Sequence, residues 1–176
     1  MNSSLLVQHL VEARGIESEY TDAWGNQAII EQKSKEKILA AMGYPMDDEQ
    51  ALVDVINAEA EQQWLTVVEP VYVCRLGKPA NLHFKLPIDF ANDQLTVKVS
   101  QNNKLVKELK FTPVDQMLLG SAEVKDIEIQ HYGYAPELDL EMGYYEIELL
   151  EEGVKEPLGS GRLIMAPQSC YKQQEL

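Results

Sequence analysis

Carboxylates are the chemistry-bearing residues that this 176-residue chain offers most freely, with 29 Asp and Glu against 15 Lys and Arg. Acid–base cleavage of a glycosidic bond needs two of them flanking a cleft, roughly 5–9 Å apart. The densest run, "EVKDIEIQ", places Glu123, Asp126 and Glu128 mostly on alternating positions. That alternation is what the wet face of a strand requires, so a solvated sheet face is the reading. The three histidines, His9, His83 and His131, have no second His or Cys at metal-ligand spacing, and there is no His-Glu-x-x-His. His83 alternates with Leu82 and Phe84 and is expected to point outward from a strand. "GSGR" at 159–162 is a faint likeness of a phosphate loop, but it precedes a strand rather than a helix, so its glycines read as turn residues. No Gly-x-Ser-x-Gly elbow is present. Cys74 and Cys170 form neither a disulfide framework nor a Cys-x-x-Cys pair, and free thiols in a cytoplasmic protein are expected. No catalytic set, metal site or cofactor site is assigned.

Aromatic residues leave two readings open. "QHYGYAPELDLEMGYYEIEL" holds Tyr132, Tyr134, Tyr144 and Tyr145. Exposed aromatic faces on a β-sandwich can stack on sugar rings. The alternative is cross-strand packing with a satisfied phenol. Tyr144 and Tyr145 are adjacent, so on a strand they face opposite sides and at most one of them enters the core.

The elements that must position these side chains change in kind near residue 66. Before it the pattern is helical. Ser3 or Ser4 caps a helix carrying Leu6, Leu10 and Ala13 on one face, stopped by Gly15. Residues 16–23 are expected to add a helical turn or two, and 24–27 a tight turn. A helix over 32–42 buries Ile38, Leu39 and Met42. A third helix begins at a capping box of Asp47 and Gln50 and lines up Leu52, Ile56, Ala60 and Trp64. That stripe needs a cover, so the helical part is expected to touch the strands C-terminal to it.

From Thr66 onward short β-rich runs alternate with turn signals. Leu82, Phe84 and Leu86 share a face, as do Leu95, Val97 and Val99, and Asn102-Asn103 is a hairpin turn. Residues 121–130 read as one strand. About seven strands without helices between them predict an antiparallel sandwich, and Pro70 marks an edge or a bulge. The fold class is therefore α+β: a small N-terminal helical subdomain (1–65), an antiparallel immunoglobulin-like β-sandwich (66–168) and the start of a linker (169–176). The formal net charge of −14 argues against nucleic acid and anionic membrane surfaces, which need clustered Lys and Arg. No run approaches the ~20 apolar residues that span a bilayer.

Two stretches at opposite ends resemble one family. "LVEARGIESEYTDAWGNQAIIEQKSKEKILAAMGYP" (10–45) resembles the N-terminal segment of bacterial 4-α-glucanotransferases, the amylomaltases, through Gly15-Ile16, Glu19-Tyr20, Trp24-Gly25 and the helix end at 39–42. "LEMGYYEIELLEEG" (140–153) and "GRLIMAPQSCY" (161–171) resemble the last strands of its accessory region. Glu31 departs from the pattern, which places Ser there as a helix cap. The resemblance implies that a catalytic (β/α)₈ barrel of the same chain follows. It also implies that the nucleophilic Asp, the acid/base Glu and the stabilising Asp all lie in that barrel. None has a counterpart here. The implied reaction moves an α-1,4-glucan segment between maltooligosaccharides by double displacement, without metal or organic cofactor. The implied partners are the barrel and maltooligosaccharide. The alternative is a free-standing glycan- or protein-binding sandwich.

Overall fold

The computed structural model describes residues 3–170, so residues 171–176 of the expected linker lie outside the described residues. The chain divides into two compact units, Met1–Ala60 and Glu61–Leu176.

The first unit contains α1 (Ser3–Ala13), β1 (Glu19–Thr21), β2 (Gln27–Ile29), α2 (Gln32–Ala41) and most of α3 (Glu49–Leu65). Its core gathers Leu6, Val7, Leu10 and Val11 of α1 with Leu39, Tyr44 and Leu52. The i, i+1, i+4, i+5 spacing of the α1 set is the stripe of an amphipathic helix, and Ala13 falls outside it, exposed. The expected helical turn over 16–23 is instead the first arm of a hairpin, with Tyr20 opposite Ala28. Asp22 decides this. Its carboxylate accepts the backbone N–H of Trp24 at 2.9 Å and of Asn26 at 2.8 Å, satisfying turn donors that a helix would have used internally. In α2 only Leu39 is buried, while Ile38 and Met42 stay exposed. Glu31 caps α2 without a side-chain hydrogen bond. The cap of α3 is Asp48 rather than Asp47: its Oδ1 accepts the Ala51 N–H at 3.0 Å. Arg14 bonds the Tyr44 hydroxyl and pairs with Glu59, and the Tyr44 hydroxyl also donates to Glu59 Oε1 at 2.9 Å.

The second unit is a β-sandwich. Among the described residues it has eight strands: β3 (Val71–Arg75), β4 (Leu82–Pro87), β5 (Leu95–Gln101), β6 (Lys104–Phe111), β7 (Met117–Val124), β8 (Ile127–Tyr134), β9 (Gly143–Glu151) and β10 (Gly159–Ala166). The single strand expected over 121–130 is two strands, folded at Lys125 and Asp126 with φ of 53° and 62°. These are the left-handed angles of a two-residue hairpin turn, like those of Asn102 and Asn103. Asn advertises such a turn and Lys does not, so only one of the two was legible.

One sheet has the order β3-β10-β9-β5-β6 and the other β4-β8-β7. Pairing is antiparallel except at one edge, where β3 runs parallel to β10. The chain leaves β3 for the opposite sheet, so no hairpin forces β3 to be antiparallel to its neighbour. Pro70 sits just ahead of this edge strand, where its missing N–H costs nothing, and its carbonyl accepts the Arg162 N–H at 2.9 Å. The inner faces meet through alternating residues of both sheets. Leu82, Phe84 and Leu86 lie against Leu95, Val97 and Val99, all within 1% of full burial. Phe111 stacks between Phe84 and Tyr134, with centroids 5.6 and 4.5 Å away.

The glycines of "GSGR" belong to β10 itself, not to a turn. A Cβ on Gly161 would lie 2.3 Å from the Glu69 carbonyl oxygen, so the backbone before β3 passes directly over this residue.

Candidate functional site

The sandwich presents three surfaces on which chemistry could be placed. The first is the outer face of β4-β8-β7. Lys85 pairs across strands with His131, and His83 with Gly133. The His83 and His131 rings meet at Nδ1···Nε2 3.3 Å. The last turn of α3 lies on this face: the Trp64 ring stands edge-on to His131 at 6.3 Å, and Lys125 pairs with Glu61 at 3.4 Å. Lys85 is buried there, and its ammonium donates to the Gln63 carbonyl and to Glu69 Oε1, both at 3.0 Å. His83 does leave the core side of its strand, as its alternation predicts, and there it meets a second histidine. Burial, then Lys85 and His83, hold the His131 imidazole below its ordinary pKa. A positive charge on His131 would face the existing Lys85 ammonium, so its surroundings favour the neutral imidazole. The spacing of 48 residues between the two histidines hides this pair from any local motif.

The second surface is the outer face of β3-β10-β9. Ile164 is the direct partner of Val73 on one side and of Tyr144 on the other, so the three form one cross-strand row. Tyr144 is 76% exposed, Val73 66% and Val71, next along β3, 50%. Arg162, opposite both Val71 and Glu146, bounds the row. The signal for it was present in the sequence: in "VYVCR" and "RLIMA" both alternating phases are apolar, the pattern of strands meant to be covered on both faces.

The third is a cleft of about 460 Å³ at one end of the sandwich, with Leu138 and Met165 in its floor and Lys78, Lys107, Glu137 and Asp139 around it. It has no aromatic lining, so it lacks a platform for a sugar ring.

The four tyrosines separate. Tyr132 and Tyr145 are 3% and 5% exposed, and the Tyr145 hydroxyl donates to the Glu141 carbonyl at 3.0 Å. Their rings have no free face. Tyr134 is half-buried against Phe111. Tyr144 alone of the four presents an open ring. Burial pushes the phenols of Tyr132 and Tyr134 up. A fifth phenol, Tyr72, is pushed up to about 12 by burial while it bridges Glu69 N–H and the His83 carbonyl. Of the carboxylates, Glu123 and Glu128 are cross-strand partners and Asp126 is in the intervening turn. Among the described residues, no three His, Cys, Asp or Glu are grouped so as to hold a metal ion. Cys74 is buried and Cys170 exposed, both as free thiols. His9 is exposed on α1. No described helix is long and apolar enough to cross a membrane.

In sequence, no curated protein matches. In structure, the chain is similar to amylomaltase from Corynebacterium glutamicum, with a TM-score of 0.63 and 17% identity over 93% of this chain and 23% of that one. This chain therefore spans about a quarter of the length of that enzyme. Extracellular domains 3–5 of Drosophila OTK overlap 58% of this chain and 33% of theirs at 17% identity and a TM-score of 0.29. A CARDB domain from Pyrococcus furiosus overlaps 56% of this chain and 87% of its own at 14% identity and 0.26. Neither of these two overlaps is close enough to inform the fold. The likeness to the Corynebacterium enzyme extends through both units, including the helical segment where the resemblance at 10–45 was read. Residues 67–167, more than half of the chain and spanning all eight sandwich strands, match one family description, and the chain belongs to that family, the MalQ N-terminal β-sandwich domain.

Proposed function

We propose that this chain is the non-catalytic N-terminal region of a 4-α-glucanotransferase whose active site lies in a (β/α)₈ barrel further along the same polypeptide. The observation that carries the reading is the coverage: 93% of this chain corresponds to only 23% of an amylomaltase. In the parent, a glucan segment would pass to an enzyme carboxylate and then to the 4-hydroxyl of an acceptor chain, conserving the number of glycosidic bonds. The helical unit and the immunoglobulin-like sandwich would support that barrel from the cytoplasmic enzyme's N-terminal side. The test uses the polypeptide extended through its own downstream reading frame. Incubated with maltotriose, it should yield glucose together with maltopentaose and longer chains, without net hydrolysis. A downstream frame that encodes no barrel, or an intact longer chain that only hydrolyses maltotriose, would end this reading.

A second reading, a glycan-binding sandwich, is favoured by the open ring of Tyr144. It requires the 176-residue chain to be retarded by glucan in affinity electrophoresis, and the Tyr144→Ser variant to run free.

A further inference from the structure

We infer that the apolar row Val73–Ile164–Tyr144, with Val71, is the surface on which the sandwich docks against the protein C-terminal to it in the same chain. This inference rests on the proposed parent enzyme and names the face that meets the rest of it. Three observations converge on the row. The β3 and β10 strands carry apolar residues in both phases, although their inner phase, Tyr72, Cys74, Leu163 and Met165, already fills the sandwich core. A sheet face that is left wet normally alternates to polar residues, as the same sheet does further along β9 and across β5 and β6, where Glu148, Lys98 and Glu108 stand opposite one another. On this face the apolar residues of β3, β10 and the start of β9 thus give way to charged pairs, although exposed apolar residues recur on β6 (Leu105, Val106) and on the other sheet (Met117, Leu118, Ile127).

The second observation is where the chain goes. After β10 it is tied back to the end of β3: the Arg75 guanidinium donates to the Gln168 carbonyl at 3.3 Å, the Gln168 amide to the Leu76 carbonyl at 3.1 Å, and Leu76 N–H to the Ala166 carbonyl at 3.0 Å. The polypeptide therefore leaves the sandwich at the end of the sheet marked by Arg75 and Leu76, just past Val73 on β3 and Ile164 on β10. A domain joined there by a short tether has this corner at high effective concentration. The third is size. The matched amylomaltase has 77% of its length outside the correspondence (100 − 23), so a large body is available to cover the row. An exposed aromatic flanked by aliphatic residues and rimmed by Arg162 is the composition of an interface centre.

The experiment compares labelling of one position in two chains. Val73→Cys is introduced into a Cys170→Ser background, both in the 176-residue chain and in the full-length parent. A maleimide reagent should modify Val73→Cys rapidly in the short chain and on the order of tenfold more slowly in the long one, because a docked face must open before it reacts. Lys98→Cys, on the polar rows of the same sheet, should label equally fast in both. Equal labelling of Val73→Cys in both chains, with the long chain still disproportionating maltotriose, overturns the docking face and leaves the parent reading standing. A long chain that disproportionates nothing overturns the parent reading and this inference with it. Protection of Val73→Cys in the short chain by millimolar maltoheptaose would assign the row to sugar instead and also overturn the inference. So would protection that rises with the concentration of the short chain itself, which would assign it to a second copy.

Discussion

Replacing Gly161 by Ala tests how tightly the edge of the sandwich is built. The added methyl carbon would sit 2.3 Å from the Glu69 carbonyl oxygen and 3.3 Å from that of Pro70. Ordinary contact between such atoms is near ~3.4 Å, so the Glu69 carbonyl would have to retreat by roughly 1 Å. It is poorly placed to do so. Glu69 N–H donates to the buried Tyr72 hydroxyl at 2.9 Å, and the Pro70 carbonyl accepts from Arg162 at 2.9 Å, so the chain is held on both sides of this carbonyl. Overpacking against a fixed neighbour costs about 3 kcal/mol, and relieving the backbone entropy of a strand glycine returns about 0.5–1 kcal/mol. The net expectation is a loss of about 2 kcal/mol, which is a fall of roughly 10 °C in Tm for a domain of this size. Gly159→Ala is the internal comparison. Its methyl would meet Val68 Cγ2 at 2.8 Å, Val68 Cβ at 3.2 Å and Val67 Cβ at 3.3 Å, side-chain atoms rather than a backbone carbonyl, so the loss should be smaller, about 1 kcal/mol. Urea and thermal unfolding of both variants, followed by far-ultraviolet circular dichroism, measure the difference. If Gly161→Ala proved no worse than Gly159→Ala, the argument that a rigid backbone crosses over Gly161 would be wrong.

Two further outcomes concern the outer face of the smaller sheet. His131 is held below its ordinary pKa in the folded chain, so the unfolded chain binds the proton first as pH falls. Its contribution to stability should be complete above about pH 6.5 and decline as pH drops from there toward the folded value, and His131→Asn should flatten that part of a urea-midpoint-versus-pH curve; an unchanged slope in the variant would refute the assignment. Trp64→Ala removes a half-buried ring from against His131 and should cost about 2 kcal/mol, roughly half of what a fully buried tryptophan costs. A loss below about 0.5 kcal/mol would mean that the end of α3 is peripheral to the sandwich. The two remaining expectations, glucan transfer by the extended chain and protection of Val73→Cys within it, separate what the parent does from where this domain sits on it.

Both of those expectations bear on Tyr144. The same open ring suits a sugar face or a protein face, and the row beside it, Ile164 and Val73, weights it toward protein, since aliphatic side chains add little to sugar stacking.

Much of this architecture is local information. The alternation of Leu82, Phe84 and Leu86 and of Leu95, Val97 and Val99 is enough to assign strands and to say which face is inside, because the side-chain period of a strand is two whatever surrounds it. Asn102-Asn103 announces its turn by residue type, and the stretches at 140–153 and 161–171 carry a family resemblance that the match over residues 67–167 supports. The readings that differed from the structure are those in which the chain's own preference is overruled at a distance. Asp22 turns an expected helix into a hairpin by capping donors two and four residues on. Lys125-Asp126 folds one run into two strands because β7 finds β8 as its partner, not because lysine favours the angle. Only the tertiary structure decided the parallel edge, the meeting of His83 with His131, the burial of Tyr132 and Tyr145 beside the exposure of Tyr144, and the need for glycine at 161. Each depends on which strand lies next to which, and adjacency between residues 48 or 92 positions apart is not encoded in any window of sequence. It is settled by the single packing in which all the inward faces are covered at once.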